Sequence, residues 1–421
     1  MSRGRRTSRL TTERGRAATA RPASAVGAAF LFATCQVGAE PALKSEMARD
    51  WPEFHFAYSR PGFVTFKLPP AGELPEDFDP HAVFARAHGF SLGKVQAASA
   101  QQLAHAAWQL AGDRAYDRLH VWQRDTAAPG YRGFHPGPTE LAAAAEQTLG
   151  QNAQAAGRGL ASGQAQIGEL VLDCVIVEPG EWWIGLHRAA SPADCWPGGI
   201  PPITLPADAV SRAYLKMEEA ILWSGLPLSP GDRCVEIGCA PGGASQALLA
   251  RRLSVMGIDP ADVDPRVTAN RRFTHVKKRG ADLRRREFRG VRWLAADMNV
   301  APAYTLDTVE AIVTHPTVNV RGLLLTLKLA DWKLAEEIPG YLERIASWGY
   351  GNVRARQLAH NRREICVAAL KQPRTKATRR RQRQSVTVPP RTIRPATDAQ
   401  AREEKVPARR NKTAGGRRGS R

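Results

Sequence analysis

The stretch Arg233–Pro260, RCVEIGCAPGGASQALLARRLSVMGIDP, constrains the fold more than any other part of the chain. An apolar run breaks at a Pro-Gly-Gly turn, a helical pattern follows, and a second apolar run ends on an acid. Short apolar runs alternating with helical patterns predict parallel strands joined by crossover helices. The alternation extends from Ser211 to about Leu370, with strand candidates at RCVEIGC, SVMGID, RWLAAD, TVEAIVT, LLLTLKL and EICVAAL. The expected class for this half is therefore α/β, a doubly wound, mostly parallel Rossmann-like sheet.

The first half reads differently. AAFLFATC predicts a strand, GAEPALKSEMARDW a helix with proline near its first turn, and FHFAYSRPGFVTFKL two strands around a Pro-Gly turn. Residues 80–125 alternate helical runs with the strand candidate RLHVWQR, and the Gln/Gly/Ala-rich Gln147–Gln166 reads as a loop. IGELVLDCVIVEPGEWWIGLHRA predicts a hairpin carrying Trp182 and Trp183. The expected organisation is a basic arm over 1–25, an α+β region over 26–195, a Pro-rich linker over 196–210, an α/β domain over 211–371 and a basic tail over 372–421.

Charge sharpens that division. The formal net charge is +20, yet residues 1–25 hold seven Arg and one Glu, and residues 371–421 hold seventeen Lys and Arg against three acids, which leaves the intervening chain formally neutral. Low-complexity basic arms cannot bury enough apolar surface to fold, so both are expected to be disordered. Such arms bind polyanions, RNA foremost, and the alternative is a merely solubilising tail or, for the N-terminal arm, an organellar transit peptide. No run approaches the ~18–20 apolar residues of a membrane helix, so no membrane association is expected. The six cysteines form no CxxC pair and no Cys/His cluster with zinc spacing, and they read as reduced core residues of a cytoplasmic protein without a structural metal.

Doubly wound sheets bind ligands outside the carboxyl ends of their strands. Gly238, Gly242 and Gly243 lack the Cβ that would hold a ligand off the backbone, and Asp259 closes the second strand where such folds bond ribose hydroxyls. No GxGxxG fingerprint and no GK[ST] is present, so a nucleoside without phosphates, S-adenosylmethionine, fits better than a dinucleotide or nucleotide. An ordinary strand-to-helix turn is the alternative. Lys216, Asp297, Lys328 and Glu364 fall at strand and helix ends that could converge on one cleft, although each alone has a bland surface or turn explanation.

The segments SRAYLKMEEA, VEIGCAPGGAS, AADM, TLKL and ARQLAHNRRE match in order and spacing, over about 160 residues, the motifs of the FtsJ-like ribose 2′-O-methyltransferases, which this half resembles. Within them it is most similar to the large-subunit (23S) rRNA ribose methyltransferase M type. The first half more weakly resembles that family's N-terminal RNA-binding region, ferredoxin-like then THUMP-like, through FLFATCQVGAEPALKSEM and EWWIGLHRA. The resemblance implies that Lys328 is the general base for a ribose 2′-OH, with Lys216, Asp297 and Glu364 completing the catalytic set. It also implies cofactor contacts at Ser211, Gly238, Cys239, Ala240, Pro241, Gly242, Gly243, Asp259, Asp282 and Asp297, and no metal. A lysine base must lose its proton, so its pKa must fall from ~10.4 toward 7 or 8; an apolar strand, Lys216 and the cofactor sulfonium would push it down, the two carboxylates would oppose that, and the sequence leaves the net shift open. The family's aromatic residue after the double glycine is replaced by Ala244.

The implied activity is methylation of a ribose in 23S rRNA or a large-subunit precursor, with DNA not expected as a partner. The competing readings are a methyltransferase of tRNA or of the mRNA cap, and a non-catalytic RNA-binding assembly factor. The intact Lys-Asp-Lys-Glu set argues against the last, and the absence of an [ND]PP[YF] motif argues against methylation of a base amine.

Overall fold

Why a chain with so many short apolar runs makes two large sheets, beside the small pairing of Ala25–Val26 with Leu74–Pro75, is visible in how those runs pair. The computed structural model describes residues 25–70, 74–283 and 285–371, and apart from Ala25 the expected basic arm and tail lie outside the described residues. The first sheet has eight strands in the spatial order His55–Arg60, Phe63–Lys67, Phe30–Thr34, Ala87–Gln96, Glu181–Arg188, Leu170–Glu178, Arg118–Gln123 and Ala161–Ser162. Its centre is the hairpin read from sequence, and Leu170–Glu178 is buried at every position but the last. Helices Ala100–Ala111 and Glu140–Ala155 pack on this sheet through Leu103, Ala107, Ala145 and Leu149.

The second sheet has seven strands in the order Phe273–Val276, Ser254–Ile258, Arg233–Ile237, Trp293–Ala296, Gly322–Lys328, Glu364–Leu370 and Asn352–Arg356. The first five run parallel, and Glu364–Leu370 returns antiparallel to both neighbours. The chain leaves Arg233–Ile237 toward one edge, then crosses back to Trp293–Ala296 on its other side. That reversal opens a crevice above the adjoining strand ends.

Two expectations fail. TVEAIVT is no strand: it lies within helix Pro302–Val313, where Thr305, Leu306, Val309 and Ile312 are buried at helical spacing. Its β-branched composition suggested a strand, but period outweighs composition. Gln147–Gln166 is not a loop throughout, because helix Glu140–Ala155 runs to Ala155, with the Thr139 side chain accepting from Ala142 N at 3.1 Å and Ala142, Ala145, Leu149 and Ala153 buried. Among the strands that went unread are Ala87–Gln96, interrupted by Gly89 and Gly93, and the two edge strands Phe273–Val276 and Asn352–Arg356. All six cysteines are free and buried. No helix of the described residues is long and apolar enough to cross a membrane.

The two sheets belong to one compact unit and share an apolar cluster. Phe84 meets Trp332 edge-on with ring centroids 6.0 Å apart, Gln357 N donates to the Val83 carbonyl at 2.8 Å, and Arg356 donates to the Arg86 carbonyl. Arg86 in turn grips Asp125 with two bonds of 2.8 and 2.6 Å, both side chains being almost wholly buried. Removing one member of a buried pair strands the other charge. Asp125→Ala is therefore expected to destabilise the protein by about 3–5 kcal/mol, as read by urea denaturation at neutral pH.

Candidate active site

The crevice is lined by strand ends, and the local chain explains each. Gly238 follows the Arg233–Ile237 strand with φ +82°, and a Cβ there would come within 2.6 Å of the Asp297 carbonyl oxygen. Gly242, with φ +120°, precedes helix Gly243–Ala250, and a Cβ on Gly243 would collide with Ser211. The turn therefore lies tight against both the Asp297 strand end and the Ser211 segment, an approach that only glycine allows. Asp259 braces this turn: its carboxylate accepts from Ala240 N at 3.0 Å and Ala261 N at 2.8 Å. A carboxylate has about four acceptor positions, so two remain for hydroxyl donors.

Not every expected contact residue points a side chain into the crevice. Cys239 is buried in the apolar cluster with Val263, Val267 and Phe273, so its backbone is what it can offer. Asp282 is exposed in the 3₁₀ turn Gly280–Asp282, which packs beside Ile237 at the strand end. Ala244 is buried and lines a narrow cleft with Lys216, Asp297 and Leu324, the side on which an aromatic at this position would lie.

Lys216, Asp297, Lys328 and Glu364 come together in one hydrogen-bonded chain. Antiparallel pairing places Lys328 directly opposite Glu364, and its Nζ donates to Glu364 Oε2 at 2.6 Å and to Asp297 Oδ1 at 2.8 Å. The other Glu364 oxygen forms an ion pair with Lys216, which reaches in from helix Ala213–Ser224. Glu364 is the most deeply buried of the four, and about a fifth of the Lys328 side chain remains exposed. Burial alone would raise the Glu364 pKa, but Lys216 and Lys328 outweigh it and hold the carboxyl below its usual range. Burial alone would likewise lower Lys328, yet Asp297 and Glu364 prevail and raise it above the ordinary lysine value. The fall that a lysine base requires is thus not a property of the unliganded site.

Sequence reasoning missed three features. Glu236 lies fully buried beneath the glycine turn, hydrogen-bonded by Ser245, and burial pushes its pKa up to about 8. Its place inside an apolar strand was the available signal. Glu219 accepts from Ala359 N at 2.7 Å and His360 N at 3.0 Å, which fixes the loop that leads into Glu364. On the rim, the Arg362 guanidinium lies so close to Gly130 that a Cβ there would strike it, bringing the exposed Tyr131 and Arg132 near the tetrad.

Residues 209–332 match the family model described as FtsJ-like methyltransferase. Among similar proteins are two named ribosomal RNA large subunit methyltransferase M. That of Methylococcus capsulatus is 35% identical over 40% of this chain and 50% of its own length, and that of Azotobacter vinelandii is 32% identical over 44% and 54%. The chain thus spans about half the length of these relatives. The protein of the same name from Halorhodospira halophila is 28% identical over 80% of this chain and 95% of its own. Residues 209–332, which carry the glycine turn and three of the four convergent side chains, are thus the part of the chain that is similar to the FtsJ-like methyltransferases.

Proposed function

We propose that the protein is an S-adenosylmethionine-dependent methyltransferase acting on a ribose 2′-oxygen of RNA, with 23S rRNA or a large-subunit precursor as substrate and the cytoplasm as its place of work. The observation that carries this reading is the Lys216–Glu364–Lys328–Asp297 chain at the mouth of a crevice floored by a glycine turn. The turn fits the cofactor: Gly238 and Gly243 let its backbone pack against the Asp297 strand end and the Ser211 segment, and Asp259 keeps acceptor capacity for a ribose. Ser211, Gly238 to Gly243, Asp259 and Asp282 would hold it. When bound, the cofactor supplies an electrophilic methyl group on a sulfonium whose positive charge also disfavours a neighbouring ammonium.

The chain's own residues handle the proton. Lys328 Nζ, neutral when it acts, takes the proton from the ribose hydroxyl. Asp297 and Glu364 fix the direction of Nζ, and Lys216 neutralises the second oxygen of Glu364 so that one carboxylate serves two amines. Exposed aromatics support an RNA substrate: Tyr131 beside the Arg362 rim and Phe56 on the edge strand of the first sheet are exposed, Arg132 and Lys44 lie over their rings, and stacking on such platforms is how unpaired bases are held.

Transfer of labelled methyl to large-subunit rRNA lacking the modification tests the reading. Label is expected on a ribose 2′-oxygen after digestion to nucleosides, and Lys328→Ala should lower transfer by about 10²–10⁴-fold. Transfer to no RNA pool, with RNA binding intact, would leave a non-catalytic binding protein as the better account, and transfer to tRNA or a cap would reassign the substrate. Because the carboxylates hold Lys328 protonated, kcat/KM should climb with pH and approach about tenfold per unit, without a plateau between about pH 7 and 9. Glu364→Gln removes one negative charge beside the ammonium, which lowers the Lys328 pKa and should move the plateau to lower pH. A flat wild-type profile would assign the proton elsewhere. Tyr131→Ala is expected to raise KM for RNA by roughly 5- to 150-fold, the equivalent of about 1–3 kcal/mol, while leaving kcat nearly unchanged.

A further inference from the structure

Away from the crevice, three titratable side chains converge in the middle of the eight-stranded sheet. His120 lies on strand Arg118–Gln123, directly opposite Asp173 on Leu170–Glu178, and His187 lies on the next strand, Glu181–Arg188. His120 and Asp173 are fully buried and His187 is nearly so. One donor atom from each lies within 4.8 Å of the other two.

As a purely polar cluster this arrangement is incomplete. Neither ring nitrogen of His120 makes a well-formed hydrogen bond, although the Gly163 backbone lies near the ring, and Asp173 Oδ1 has no partner. Folded proteins rarely leave such groups unpaired. His187 is oriented from outside: its Nε2 lies 3.0 Å from the Asp194 carbonyl, which can only accept, so Nε2 carries the hydrogen. Its Nδ1 therefore faces Asp173 Oδ2, at 2.7 Å, either as a second N–H or as a free lone pair. Burial holds His120 well below its ordinary pKa, which leaves it neutral and able to act as a ligand. Burial also opposes charge on His187, but Asp173 outweighs it and raises that imidazole to about 9.

We infer that His120, Asp173 and His187 form a binding site for a divalent first-row transition metal, zinc in the first instance. Two imidazoles and one carboxylate are a donor set such ions favour. Metal–nitrogen and metal–oxygen bonds of about 2.0–2.2 Å require small ring rotations here and a slight opening of the Asp173–His187 pair. Binding displaces one proton from the His187–Asp173 pair, so affinity falls as pH falls. The bond from His187 Nε2 to a backbone carbonyl is the support that ligating histidines commonly have. The ion would pin three adjacent strands, and His88 and Asp194 line the same cleft. Sequence spacing conceals the site because its ligands, at 120, 173 and 187, are gathered only by strand pairing.

The test uses the full chain expressed without a histidine tag. Loaded with Zn²⁺ and passed through gel filtration, it should retain about one metal per chain, and removal by a chelator should lower Tm, with recovery on adding Zn²⁺ back. His120→Leu should weaken Zn²⁺ binding by at least roughly tenfold in competition with a chromophoric chelator. A Co²⁺-loaded sample should show d–d bands that the variant lacks. If His120→Leu fails to fold, wild-type stoichiometry and Tm response decide the matter. The inference is overturned if wild type retains no metal and its Tm ignores both chelator and Zn²⁺, or if a folded His120→Leu binds Zn²⁺ as tightly as wild type.

Discussion

A carboxylate buried between two ammonium groups sets the terms for the second half of this molecule. Glu364 is almost fully enclosed, and an isolated charge there would be untenable. Lys216 and Lys328 each occupy one of its oxygens, and Asp297 takes up charge left on Lys328. Lys328 and Glu364 each join two partners, so removing either leaves an outer member of the set without its own. The same mutual dependence holds Lys328 as an ammonium in the free protein.

Assembling that unit requires the whole sheet. Asp297 comes from the end of a parallel strand, Lys328 from the end of the next, and Glu364 from the start of a strand that runs the other way. Only an antiparallel return places the first residue of one strand beside the last residue of its neighbour. Lys216 arrives from a helix whose own Glu219 holds the loop before Glu364. The geometry that supports the proposed proton transfer is thus a consequence of topology before it is a matter of side-chain chemistry.

Much of this was legible in the sequence because it is written locally. The glycine turn, the acid closing the next strand and the strand-end positions of Lys328 and Glu364 each lie within a few residues of the pattern that reveals them. What stayed hidden depends on distant pairing. TVEAIVT misled because seven residues cut from a helix show composition but little period, and Gln147–Gln166 misled because the cut fell inside helix Glu140–Ala155. The direction of the Lys328 shift could not be read either, since it turns on whether two carboxylates lie at hydrogen-bonding distance, and sequence gives no distances. Phe273–Val276 and Asn352–Arg356 are short edge strands with weak alternation, and only their partners define them.

The anchoring of Arg356 and Gln357 to the backbone of Arg86 and Val83 bears on more than stability. These residues stand just before the turn that leads to Glu364, so the strand carrying that carboxylate is measured from the first sheet as well as from its own. The two halves therefore share a common origin of coordinates: a polyanion seated on the first sheet would be fixed, within the tolerance of a few backbone hydrogen bonds, relative to the amine of Lys328. Reach, on this view, is a built-in length of the molecule, set where one backbone is stitched to the other.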